Sequence, residues 1–159
     1  KSFRKHRKLL QTNEGNIRLQ LRLAFALISQ DKMDEGFEIL YKVRYEHPDN
    51  QEASRIFAWA SLLQGKLEQA EKVYGEMKAH GQFEPVDNLN YGYCKLFHQQ
   101  VSQGIELFRE YISSKTKDKQ KEYESLYDDM QEDKVLLSRY GFTDVDLKLI
   151  CDLVVNPRS

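Results

Sequence analysis

Cysteine, proline and long apolar runs are scarce in this chain, and each scarcity excludes something. Two cysteines, Cys94 and Cys151, are too few to staple a small secreted scaffold. The three prolines stand at 48, 85 and 157, outside the periodic stretches, so they leave those stretches free to be helical. No apolar run approaches the ~18 residues needed to cross a bilayer, and no signal-peptide pattern is present. Net charge is also missing: 24 Lys and Arg face 25 Asp and Glu, leaving −1, so there is no global pull toward nucleic acid or acidic lipid. Charged residues at 31% and apolar residues at 40% are ordinary for a soluble helical protein.

Sites of known chemistry are equally absent. No Gly-rich phosphate loop occurs. The histidines, His6, His47, His80 and His98, are scattered and no two stand four apart, so no zinc is expected. Asp128, Asp129, Glu132 and Asp133 form an acidic cluster without the glycine and alternating oxygen ligands of a calcium loop. Cys94 and His98 lie four apart, but a reactive thiolate needs an exposed, electropositive site, and Cys94 is expected to face its helix partner. No catalytic residue, metal ligand or cofactor is therefore expected, and the chain is not read as an enzyme.

What is present is repetition. Segments 17–50, 51–84 and 85–118 align without a gap at a period of 34 residues, and their columns agree in kind. Leu23, Phe57 and Tyr91 share a column, followed by small Ala24, Ala58 and Gly92. Gly36, Ala70 and Gly104 are small again. Leu40, Tyr74 and Phe108, then Val43, Met77 and Tyr111, are large and apolar or aromatic. Paired small residues let two helices approach closely while large neighbours at i±3 and i±4 close over the contact. Such pairs cannot bury their apolar faces alone, so stacking of successive pairs is required.

The periodicity predicts helices over 18–30, 33–47, 51–63, 68–79, 86–97 and 102–114, with Asp31-Lys32 and Gly65-Lys66 as turns, Gly81 closing the second pair and Ser102 as an N-cap. Residues 1–11 fit the second half of a preceding repeat, with Ser2 in the column of Gly36 and Leu9 in that of Val43; residues 12–16, with Gly15 as a stop, form a linker. The basic residues Lys1, Arg4, Lys5, Arg7 and Lys8 read first as a solvated helix face, and only secondarily as a nucleic-acid patch. Lys1 stands where an initiating methionine would, so a longer parent chain is expected. After 118 the frame fails. Tyr123, Leu126, Tyr127 and Met130 nonetheless lie at i, i+3, i+4 and i+7, the stripe of an amphipathic helix. Asp133 is expected to cap a short helix ending at Tyr140, stopped by Gly141, and Thr143 with Asp146 to open a last helix over 144–155. Residues 119–159 thus read as capping helices that seal the end of the stack.

These residues resemble the tetratricopeptide repeat family, whose pattern is W-x2-L-G-x2-Y, then A-x3-F, then P. The first repeat offers Gln20, Leu23-Ala24 and Leu27, then Gly36 and Leu40, then Pro48. The second offers Ser54, Phe57-Ala58, Ser61, Ala70 and Tyr74, with Gln82 in place of proline; the third offers Asn88, Tyr91-Gly92, Lys95, Gly104 and Phe108, with Thr116 there. No repeat carries the leading tryptophan. The resemblance covers 17–118 and implies an all-α fold, a right-handed superhelix of antiparallel helix pairs whose first helices line a concave groove, closed here by C-terminal capping helices. It also implies a scaffold that binds a protein or peptide.

Carried over by column, the groove residues are Leu21, Phe25 and Ile28 in the first repeat, with Arg18 and Ser29 beside them. In the second they are Arg55, Trp59, Leu62 and Leu63, with Glu52; in the third, Leu89, Tyr93, Leu96 and Phe97, with Val86. The column Phe25, Trp59 and Tyr93 is aromatic throughout, as binding hot spots often are. The same stripe also reads as core covered by residues 119–155, and Leu62, Leu63, Leu96 and Phe97 make more apolar surface than an open groove usually exposes. The clamp by which chaperone-binding relatives hold a C-terminal carboxylate is not matched, because Leu21, Phe25, Ile56 and Val86 stand at its places and only Asn90 is polar. The expected function is a protein-interaction scaffold in the cytoplasm, the C-terminal part of a larger repeat protein. The alternative is a regulatory module acting in cis within a signalling protein, and after it a nucleic-acid binder through the basic N-terminal segment.

Overall fold

The computed structural model describes residues 16–156, and among them there are nine α-helices and no strand. Six form three antiparallel pairs: α1 (Ile17–Ser29) with α2 (Met33–Glu46), α3 (Gln51–Leu63) with α4 (Leu67–Ala79), and α5 (Pro85–Phe97) with α6 (Val101–Lys115). A 3-10 turn at Lys119–Lys121 leads to α7 (Glu122–Glu132), α8 (Lys134–Arg139) and α9 (Asp144–Val155). Helices pack neighbour on neighbour, α2 on α3 and α4 on α5, while the leading helices α1, α3 and α5 also meet one another in order. The half-repeat expected over 1–11 and the stop at Gly15 lie outside the described residues.

The paired small columns sit where the two helices of a pair cross. A Cβ built on Gly36 would stand 2.5 Å from the Ile28 side chain and 3.3 Å from the Ala24 carbonyl oxygen. On Gly104 it would stand 3.1 Å from the Gly92 carbonyl oxygen, and on Gly92 it would drive into the Phe108 ring at 2.3 Å. In the middle pair Ala58 and Ala70 take these places and are wholly buried. The large columns surround the crossings: Leu40, Tyr74 and Phe108 are completely enclosed, as is Val43, and Met77 and Tyr111 lie within the same core.

The helix ends repeat as faithfully. Asn16 and Asn50 stand one period apart, and each side chain accepts from the backbone N–H three residues on, of Leu19 at 3.0 Å and of Ala53 at 2.9 Å. At the third such position Glu84 begins α5, and its own N–H donates to the Asp87 carboxylate at 2.8 Å, with Pro85 in the first turn. The turns inside the pairs use a left-handed residue each time: Asp31 at φ 63°, Gly65 at 84° and Gln99 at 62°, again one period apart. Ser102 is not an N-cap: α6 begins one residue earlier, after Gln100, and Ser102 is an exposed residue of its first turn. Gly141, at φ 83°, follows Tyr140 at the end of α8 as expected, and Thr143 with Asp146 forms the reciprocal capping box that opens α9.

The last three helices seal the stack. α7 and α9 pair with each other and both lie on α6. Leu126 and Met130 of α7 meet Leu147, Cys151 and Val154 of α9 in the core, with Cys151 Sγ 3.8 Å from Met130 Sδ. Two polar links join the cap to α6. Arg109 of α6 donates to the last carbonyls of α9, Leu153 at 3.0 Å and Val154 at 3.1 Å, which have no partner within their own helix. The Tyr111 hydroxyl donates to Asp129 of α7 at 2.5 Å, and Lys115 pairs with the same carboxylate.

Candidate protein-binding groove

Among the described residues, the face that α1, α3 and α5 turn away from their partners is covered at the third repeat and uncovered at the first. At the third repeat the chain after α7 covers it. Tyr140 stacks on Phe97 with ring centroids 3.9 Å apart and planes 9° from parallel, and Phe142 lies 6.0 Å from the same ring. The Tyr93 hydroxyl donates to Asp133 at 2.7 Å. Arg139 donates to the Leu63 carbonyl at 3.0 Å, satisfying an orphan oxygen at the end of α3. Asp133 stands at the start of α8 as expected, but its side chain makes no capping bond; it is spent on Tyr93. Burial, with Asp129 and Glu132 nearby, pushes its carboxyl above the usual range even though the Tyr93 bond opposes this. Tyr93 itself is wholly buried, and desolvation first, then the Asp133 charge, holds its hydroxyl well above the ordinary phenol range, so it stays protonated and donates to Asp133.

Of the eleven groove residues read from the sequence, Leu21, Ile28, Leu62, Leu89, Tyr93 and Leu96 are buried in the core, and Leu63 and Phe97 are half-buried under the cap. Arg55 is buried as well and faces no solvent groove. Its Nε donates to both oxygens of Asp87 at 3.0 and 2.8 Å, one terminal nitrogen meets Glu52 at 2.9 Å and Glu84 at 3.4 Å, and the other donates to the Gln82 carbonyl at 3.0 Å. Asp87 is 0% exposed. This cluster ties the second repeat to the third, and although burial pulls the guanidinium pKa down, the Asp87 contact outweighs it and holds Arg55 charged.

Phe25 and Trp59 remain. Their rings stack at 4.9 Å and 18° across α1 and α3; Phe25 is 49% exposed and Trp59 half-buried. Beside Phe25 a concave opening of about 650 Å³ lies between α1 and α3, lined by Ile17, Arg18, Leu21, Arg22, Phe25, Asn50, Glu52 and Ile56. Ile17 and Arg22 fall outside the expected groove columns. Their signal was available: Ile17, Leu21 and Phe25 run at i, i+4 and i+8, and Arg18 and Arg22 at i and i+4, so each set shares one helix face. Val86, 45% exposed on α5, is the next apolar residue along the row of leading helices.

Cys94 is buried with Sγ 3.6 Å from the Leu67 carbonyl, and burial, with Glu71 adding to it, pushes its thiol up to about 12. His98 faces Glu71 at 3.4 Å rather than Cys94. Among the described residues no group of three His, Cys, Asp or Glu is placed to hold a metal ion, and no helix is long and apolar enough to cross a membrane. No family model, curated protein or solved structure matches the chain.

Proposed function

We propose that this chain is a helical-repeat module of the tetratricopeptide kind that binds a protein or peptide partner on the open, N-terminal half of its inner face. The observation that carries this reading is the Phe25–Trp59 pair. The cap covers Phe97 and Tyr93 at the third repeat, yet leaves the same aromatic column uncovered at the first. Two stacked rings beside an apolar concavity offer large contact area at low entropic cost, which is the composition of a binding hot spot. The opening's volume also lies in the range of about 300–1,000 Å³ usual for ligand sites. A cytoplasmic setting belongs to the same proposal and is supported by Cys94 and Cys151, which stand as free thiols.

Selection of peptides from a displayed random library, with Trp59 emission as the readout, tests the proposal. Trp59 is the chain's single tryptophan, so emission reports on this site alone. In the free protein it is partly quenched by acrylamide. A selected peptide protects it and shifts it to the blue, and Trp59→Ala weakens binding by about 2 kcal/mol while the helix content holds. Peptides that bind Trp59→Ala as tightly as the original chain would place the partner elsewhere.

A further inference from the structure

We infer that the partner of the open groove is an acidic peptide segment carrying an apolar or aromatic anchor, an inference that rests on the groove's being the binding surface. The argument is one of charge and shape. Arg18 and Arg22 both line the concavity, both are exposed, and among the described residues neither joins an ion pair. Among the described lining residues Glu52 is the one carboxylate; it meets Arg55 at 2.9 Å, a guanidinium it shares with Asp87 and Glu84. The described lining thus carries two cations, Arg18 and Arg22, against one carboxylate, although the whole chain is at −1. The floor is different. Leu21 and Ile56 present buried apolar surface, and Phe25 adds an exposed ring face. Arg18 and Arg22 stand four positions apart, about one helical turn, so their Cβ atoms lie about 6 Å apart on one helix face beside the apolar floor. An apolar side chain seated against Leu21, Ile56 and Phe25 would carry flanking carboxylates to this rim, where guanidinium forks bind them in bidentate fashion. A basic segment would meet two cations against one carboxylate that Arg55 already contacts, and is disfavoured. On the C-terminal side the occupant ends at α3, because Arg139, Tyr140 and Phe142 cover the face from the end of α3 onward.

The test uses three fluorescein-labelled heptapeptides with a common Leu-Ile-Phe centre, flanked by Asp and Glu, by Lys and Arg, or by Ser and Gly, titrated into the full chain by fluorescence anisotropy. The acidic peptide is expected to bind tightest and to weaken as salt rises past about 0.1 M, where exposed charges are largely screened. R18E/R22E, a change at two exposed positions checked by far-UV circular dichroism, is expected to lose about tenfold for the acidic peptide and to gain for the basic one. If the neutral or basic peptide binds best and Phe25→Ala still weakens it, the groove is the binding surface but its partner is not acidic, and the inference falls alone. If the acidic peptide binds R18E/R22E unchanged, the arginines do not read it and the inference also falls. If no peptide binds and Trp59 emission never responds, the inference and the proposed function fall together.

Discussion

Gly92 is the most demanding position in the fold, and Gly92→Ala tests the packing directly. Two effects oppose one another. An alanine in the middle of α5 is favoured over glycine by about 1 kcal/mol of helix propensity. The new Cβ, however, would stand 2.3, 2.7 and 2.9 Å from three atoms of the Phe108 ring, where ordinary contact begins near 3.4 Å. Phe108 has no room to retreat. It is completely buried and its ring already lies 5.7 Å from that of Tyr93, which is held in turn by Asp133. Overpacking of this kind costs about 1–3 kcal/mol, and the rigid surroundings argue for the upper end. The net loss is therefore about 2 kcal/mol, or roughly 4–8 °C in melting temperature for a chain of this size. Gly75→Ala is the control. Gly75 is also inside a helix, but its Cβ would meet only the Tyr91 hydroxyl at 3.5 Å, so the propensity gain survives and stability rises by about 0.5–1 kcal/mol. Thermal melts followed by far-UV circular dichroism measure both. Phe108→Leu makes room, so in a double-mutant cycle it should recover part of the Gly92→Ala loss. A Gly92→Ala chain as stable as Gly75→Ala, or a cycle without coupling, would refute the crossing geometry.

Three further outcomes are expected. Gln99 at φ 62° occupies the left-handed turn position that Gly65 fills one repeat earlier, so Gln99→Gly should stabilise by about 1 kcal/mol in a urea titration, whereas Asp31→Gly should give less, because aspartate tolerates this region better. Arg55→Met removes the guanidinium whose Nε–H both oxygens of the fully buried Asp87 share, and should cost about 3–5 kcal/mol, with circular dichroism reporting the loss and Arg55→Lys recovering only part of it. Asp133 has a carboxyl raised above its ordinary value, so in the folded chain its ionised form is disfavoured relative to the unfolded one. Protonation then adds stability as pH falls through the raised folded value toward the unfolded one, and that contribution is absent at neutral pH. Asp133→Asn imitates the protonated form and still accepts from Tyr93, so its stability difference from the original chain should move in the variant's favour at pH 7 and vanish in acid, as chemical denaturation at a series of pH values would show.

The repeat itself was legible in the amino-acid sequence, because every feature that builds it is local. A helix pair depends on small residues at the crossing and large ones three and four positions away, and these fall within one 34-residue window. The helix bounds, the close approach at Ala24 and Gly36, the capping box at Thr143 and the stop at Gly141 all follow from spacing of this kind. Even the end signals missed on reading, Asn16 and Asn50 as caps and Gln99 as a left-handed turn, are local and recur at the period. Ser102 was misplaced because a serine near a helix start is a common cap, while the turn geometry after Gln99 begins the helix at Val101.

The candidate site was another matter. The columns nominated residues for an inner face, but not which of them would be covered. That was decided by contacts between distant parts of the chain: Tyr93 with Asp133, Phe97 with Tyr140, Leu63 with Arg139. No periodicity links such pairs, since the cap lies outside the repeat and its docking depends on the shape the repeats have already made. The same holds for Arg55. By column it belongs in a groove, yet the buried carboxylate that draws it into the core, Asp87, arrives from the next repeat. Composition and period set an all-α stack of helix pairs. Only the packed chain, in which desolvation and long-range hydrogen bonds choose among exposed and buried partners, turned that aromatic column into a closed end at Tyr93 and an open one at Phe25.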